Sequence, residues 1–130
     1  MSFSTRRAFA CAICLFASAA AHAFSVGNDA ACTHTSIQAA IDAAKALGDT
    51  AIHTIIVANN ASYTGQALVA DGVSLSIEGG FAECSAPSPN APPTEILGAG
   101  NGGIPVQVEQ NFTTAPPREE KLSNLVLAFG

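Results

Sequence analysis

The sequence has no tryptophan, one tyrosine and few basic side chains, five Lys and Arg against ten Asp and Glu in 130 residues. Each scarcity excludes a class of partner. Attraction to a phosphate backbone needs clustered Lys and Arg, and no cluster occurs, so nucleic acid is not an expected partner. The same deficit argues against anionic lipid surfaces, where each nearby basic residue supplies about 1 kcal/mol of attraction. With one tyrosine, no tryptophan and a few phenylalanines, there is little material for the exposed aromatic platforms of a carbohydrate-binding module. Long apolar runs are absent too. The longest, residues 8–20, is interrupted by Ser18 and is shorter than the about 20 residues a membrane-spanning helix requires.

That run has the layout of a signal peptide. Arg6 and Arg7 form a positive start, and Ala21-His22-Ala23 is a small-x-small cleavage site, which divides the chain into residues 1–23 and 24–130. Thr5-Arg6-Arg7-Ala8-Phe9 also resembles a twin-arginine signal, and two ordinary arginines of the general secretory route fit the same residues. Export leaves a single small domain that begins at Phe24. Lys45, Arg118 and Lys121 then face all ten carboxylates, a net charge of −7, and no integral membrane segment remains.

Cys11 and Cys14 leave with the signal, so Cys32 and Cys84 remain as an even pair. In an oxidising compartment they are expected to form a disulfide. By chain entropy alone, closing a loop of that length stabilises by roughly 4 kcal/mol. Two separate buried thiols are the alternative.

The clearest helix begins at Thr35-Ser36-Ile37-Gln38, which fits a capping box with Thr35 as the cap and Gln38 reaching back. Ile37, Ala40, Ile41, Ala44 and Leu47 follow at helical period, and Gly48 supplies a left-handed stop. Asp42 and Lys45 fall on the solvated side. Residues 51–58 then turn β-branched and predict a strand. Asn59-Asn60-Ala61-Ser62 makes a turn, and Tyr63 is placed to fold back on that strand. Leu68 and Val69 form a short extended piece before the Asp71-Gly72 turn.

The strongest strand pattern is Val73-Ser74-Leu75-Ser76-Ile77-Glu78, which alternates apolar and polar residues and ends in Gly79-Gly80-Phe81, read as a sharp corner. Ile55/Val57 and Leu75/Ile77 are matching inward pairs, with Ile96 expected above them. Residues 84–93 contain Pro87, Pro89, Pro92 and Pro93 and exclude regular structure. Residues 94–98, Val106 with Val108, and residues 122–127 resume short extended patterns, with a loop over residues 113–117. Short strands at such wide intervals, joined by Gly, Asn and Pro corners, indicate stacked repeats rather than a sandwich.

Taken in order, these motifs resemble the N-terminal segment of right-handed parallel β-helix proteins of the pectin lyase-like superfamily. They are Thr35-Ser36-Ile37-Gln38-Ala39-Ala40-Ile41-Asp42, Ile55 and Val57, the turn ending in Tyr63, residues 73–81, Ile96-Leu97-Gly98, and Leu122-Ser123-Asn124-Leu125-Val126-Leu127. The likeness covers residue 35 to the C-terminus. It departs at Ala51-Ile52-His53 and at Asn59-Asn60-Ala61-Ser62, where a Pro-Gly corner is common in the family. It implies a mainly β fold, a right-handed parallel β-helix (solenoid) with an N-terminal capping α-helix, incomplete at the C-terminus. The last residues are strand-like with no cap after them. The expectation is a truncated relative of a longer protein, with an exposed edge that dimerises or aggregates; an open edge completed by another chain, and a product that folds poorly, are the alternatives.

Such motifs speak to fold more than to activity. Polysaccharide-active relatives gather carboxylates or an arginine on outer faces, often with calcium. Asp71, Glu78 and Glu83 are the acidic residues near the early strands, Glu78 on the outward face of the best one, and His53 is the remaining candidate base. A solubilising carboxylate and a surface or packed histidine are the plainer readings of Glu78 and His53. Asn28-Asp29 does not complete a calcium loop, and no cofactor or metal is expected. Asn60-Ala61-Ser62 and Asn111-Phe112-Thr113 fit the glycosylation pattern. The expected function is an exported, non-catalytic structural or surface-adhesive module that contacts polysaccharide or another cell-surface component. The alternatives are the N-terminal piece of a polysaccharide lyase or hydrolase whose catalytic repeats are missing, and a carbohydrate-binding module.

Overall fold

The computed structural model describes residues 24–100, 102–109 and 119–129. The expected signal peptide, the loop at residues 113–117 and the Asn111 sequon lie outside the described residues. The described chain is mainly β with one helix, and every strand pairing is parallel. The strands are β1 (Phe24–Val26), β2 (Ile52–Ala58), β3 (Tyr63–Gln66), β4 (Leu68–Asp71), β5 (Ser74–Phe81), β6 (Thr94–Gly98), β7 (Val106–Glu109), β8 (Glu120–Ser123) and β9 (Leu125–Ala128), with helix α1 (Ile37–Ala46) between β1 and β2. They form three sheets, ordered β1-β2-β5-β8, β3-β6-β9 and β4-β7. From β2 onward the chain visits the three sheets in strict rotation.

Parallel pairing sets like positions above one another. Phe24, Ile55, Ile77 and Leu122 make one column, and Tyr63, Ile96 and Leu127 another. Ile55, Ile77 and Ile96 are buried with Val26, Val57, Leu68, Ala70, Val73 and Leu75 in one core. Tyr63 folds back as expected. Its hydroxyl donates to Ala58 O at 2.7 Å, with Val26 O at 3.3 Å, and burial pushes its pKa up to about 12. A second, smaller cluster of Ile56, Ala58, Phe81, Cys84 and Ala86 lies apart from that core, where the proline-rich segment covers the first sheet.

The helix covers one side of the core. Ile37, Ala40, Ile41 and Ala44 of α1 are buried in the core, and the helix packs on β1, β2 and β4. The open side of β1 is bridged by Thr33-His34, with His34 N donating to Ser25 O (2.9 Å) and Gly27 N to His34 O (3.2 Å). The cap differs from expectation. Ser36, not Thr35, accepts from Ala39 N. Gln38 does not reach back; its amide grips β4, accepting from Val69 N (2.9 Å) and donating to Val69 O (3.1 Å). A side chain thus supplies the pairing that a preceding strand would give. Leu47 is 56% exposed, outside the apolar stripe, because the helix ends at Ala46 and the chain turns through Gly48 (φ 68°).

The strand that ends in paired glycines also needs correction. β5 runs through Gly79-Gly80 to Phe81, and the corner comes after it. A Cβ on Gly79 would sit 2.5 Å from Asn124 O and 2.8 Å from Thr94 Cβ, so glycine is kept there by close approach. Gly80 takes φ 83° where the register with β2 shifts between Ile56 and Ala58. The inward matching moves accordingly: Ile77 lies on Ile55, whereas Leu75 lies on His53. Ile96 belongs to another sheet and stacks on Tyr63, not above Leu75 and Ile77. Ser74 is buried rather than solvated and accepts from Glu119 N. Residues 122–127 are two strands in two sheets, split at Asn124, whose φ of 52° is a conformation asparagine tolerates. β1 was not anticipated at all.

Leu75 is fully buried between its neighbours in the first sheet. Leu75→Ala should cost about 2–5 kcal/mol, the range for emptying a core leucine site. Leu75→Asp, which sets a charge in the same column, should abolish the cooperative transition; a wild-type urea midpoint for it would refute the stacking described.

Candidate functional site

The residues singled out by sequence lie apart. Glu78 is half-buried on the outward side of β5, in register with Ile56 and Ser123. Asp71 ends β4, with Lys45 Nζ 3.7 Å away. His53 is the second residue of β2, its Nε2 2.7 Å from Asp49 Oδ1 and its ring edge-on to Phe24. Among the described residues no hydrogen bond or ion pair joins the three. Cys32 and Cys84 do meet, in a disulfide that fastens the segment after β1 to the segment after β5.

Around that disulfide is a polar knot the sequence did not reveal. Asp29 Oδ2 accepts from Cys84 N (3.0 Å) and Asn60 Nδ2 (2.6 Å), and Oδ1 accepts from Ala31 N (2.9 Å). Asn60 Oδ1 in turn accepts from Asn28 N (2.8 Å). These bonds favour the carboxylate, the Cys84 amide foremost, and hold Asp29 below its usual range. Gly27 lets the knot close, since a Cβ there would lie 2.7 Å from Asn60 Oδ1 and 2.8 Å from Cys32 Sγ. Asp29, Cys32 and Cys84 bring three potential metal ligands within 4.8 Å. Both sulfurs are spent in the disulfide, and an S–S sulfur is not the thiolate that ligates metal. The local signal, Asn-Asp before a cysteine, predicts an Asx turn at most; the partners 31 and 55 residues away belong to the fold.

A groove of about 360 Å³ lies beside β3 and β6. Asn59, Ala61 and Ser62 come from the turn before β3, Tyr63 and Thr64 from β3, Pro93 from the proline-rich segment, and Thr94, Glu95 and Leu97 from β6. The rim is pinned. Thr94 Oγ1 accepts from Gly80 N (2.9 Å) and meets Val57 O and the Asn59 side chain, while Asn59 Nδ2 donates to Pro92 O (2.5 Å). Ser62, Thr64 and Glu95 are exposed. Such groups suit hydroxyl-bearing ligands. Glu95 is the lining's only carboxylate, whereas hydrolysis by the common glycosidase route uses a pair. Alternation after Tyr63 foreshadows Thr64, but its meeting with Glu95 depends on the β3–β6 register.

No protein-family model, curated protein or solved structure matches the chain.

Asp29 yields a pH signature. With its folded pKa depressed, its contribution to stability is present above the unfolded value of about 3.9 and is lost as pH falls through the lower folded value. The thermal midpoint of the wild type should drop more steeply below pH 4 than that of Asp29→Asn, which should also be less stable at pH 7. Parallel curves across pH 2–7 would show that the knot is not coupled to folding.

Proposed function

We propose that the chain is the capped N-terminal end of a right-handed parallel β-helix of the pectin lyase-like kind, an exported, non-catalytic segment that serves as a structural or surface-adhesive module. The observation that carries this reading is the strict rotation of β2–β9 through three sheets with parallel pairing throughout. Right-handedness is the usual hand of parallel crossovers. The helix, the Thr33-His34 bridge and the Gln38 grip on Val69 act together as the cap of the first coil. The Cys32–Cys84 disulfide accords with an oxidising compartment and hence with export to the periplasm, the cell surface or the medium.

The scattered Asp71, Glu78 and His53, and the single carboxylate in the groove, favour contact over turnover. Polysaccharide is the partner whose hydroxyls match Ser62, Thr64 and Glu95. A carbohydrate-binding module is the second reading, favoured by that groove and weakened by its lack of a stacking platform. An N-terminal piece of a lyase or hydrolase, with its active coils elsewhere, shares the same fold. Self-association belongs to the proposal as well: Leu122 and Leu127 are each 41% exposed on the last strands, and β8 and β9 are edge strands.

Incubated with acidic and neutral polysaccharides, the secreted chain should be retarded in affinity electrophoresis by at least one of them, without new reducing ends or unsaturated products. Thr64→Ala with Glu95→Gln should abolish the retardation. Product formation would overturn the non-catalytic reading, and unchanged mobility in every polysaccharide would overturn the adhesive one.

A further inference from the structure

The edge strand β8 carries a carboxylate at an inward position, beside the apolar column of Phe24, Ile55, Ile77 and Leu122. Glu120 is in register with Leu75, which lies in turn on His53, so it takes the inward position of its strand. It is half-buried, with Leu122 next on the same face. The element packed against β8 is β5. From β5, Leu75 faces Glu120, while Ser74, Ser76 and Glu78 alternate to the opposite side, where they are in register with Glu119, Lys121 and Ser123 or adjoin them. His53 is the nearest titratable group in the column, two strands away. No ion pair among the described residues involves Glu120. An inward charge on an edge strand is a recognised means by which sheets refuse further strands.

We propose that Glu120 gates association of this edge with a second copy of the chain: the ionised carboxylate keeps β8 unpaired, and its protonation admits the partner strand. The proposal rests on the self-association included in the reading above. A second copy is the occupant because the edge is self-complementary. Antiparallel pairing of β8 with its copy, centred on Glu120, sets Glu119 of each chain opposite Lys121 of the other and brings the two Glu120 carboxyls together at the twofold axis. Two carboxylates so placed cannot both ionise and must share a proton. Burial on one side already pushes Glu120 up to about 7 in the single chain, and covering the other side raises it further. Association is therefore favoured below that value and lost as pH rises through it, near neutrality rather than in strong acid.

Sedimentation equilibrium of the secreted chain at pH 5.5 and 8.5 tests this, with Glu120→Gln and Lys121→Glu alongside and thermal unfolding to show that each is folded. The wild-type dimer constant should weaken at least about tenfold from pH 5.5 to 8.5, the equivalent of one unit of linked pKa change. Glu120→Gln should dimerise equally at both, and Lys121→Glu should weaken the dimer at pH 5.5. Dimers of unchanged strength at both pH values in wild type would overturn the gate while leaving edge association standing. Monomers in wild type and Glu120→Gln at both pH values would overturn the gate and the edge reading together. Should Glu120→Gln fail to fold, the wild-type pH dependence and the Lys121→Glu comparison still decide the matter.

Discussion

In-register parallel pairing is the constraint from which the rest follows. It places each residue over its counterpart in the previous circuit, so an inward position must suit the core at every level. Phe24, Ile55, Ile77 and Leu122 satisfy that demand in one column and Tyr63, Ile96 and Leu127 in another. The rule is exacting at a sheet edge, where a strand presents backbone groups that its own sheet leaves unpaired. Beside β1 and β4 the chain meets this with a helix rich in alanine, which lies close, with the Thr33-His34 bridge and with the Gln38 side chain. On β8 and β9, Leu122 and Leu127 are partly exposed.

The same constraint explains where glycine and asparagine stand. Each circuit must bend between sheets without interrupting the columns. Gly80 absorbs the register shift between β2 and β5, and Asn124 turns β8 into β9 within one residue. Gly79 has a different reason, since the chain at Asn124 passes against its Cα. A bulky residue at any of the three would move a strand, and each strand carries its neighbours with it. The disulfide and the Asp29 knot tie together segments following β1 and β5, holding the outer cluster of Ile56, Ala58 and Phe81 under Cys84 and Ala86, in a segment that forms no strand of its own.

What the sequence made legible was whatever depends on one strand or one helix at a time. Alternation through residues 73–77, the periodicity of Ile37, Ala40, Ile41 and Ala44, the fold-back of Tyr63 and the pairing of Cys32 with Cys84 are of this kind. What escaped depends on neighbours from other circuits. Ile56 looks misplaced on the outer side of β2 until residues 82–93 cover it. Ser36 takes the cap from Thr35, and Gln38 is drawn away from it by Val69 of β4, a backbone no local pattern can see. β1 is only three residues long and is a strand because β2 and Thr33-His34 flank it. The groove is harder still to foresee. Its Ser62 and Thr64 come from one circuit and its Glu95 from the next, so its composition is a property of register rather than of any segment.

That dependence on register gives the polar residues their meaning. Glu78 and Glu120 are both carboxylates on strands of the first sheet, and sequence alone makes Glu78 the more prominent because its alternation is clean. Register reverses the order. Glu78 lies outward in register with Ile56, whereas Glu120 lies inward on Leu75, where burial has raised its pKa to about 7. An inward charge weakens the strand that bears it, and such a charge persists only where stability is exchanged for control of what the edge binds. Among the described strands of the first sheet Glu120 is the inward carboxylate, and the proposed pairing of the β8 edge depends on its ionisation.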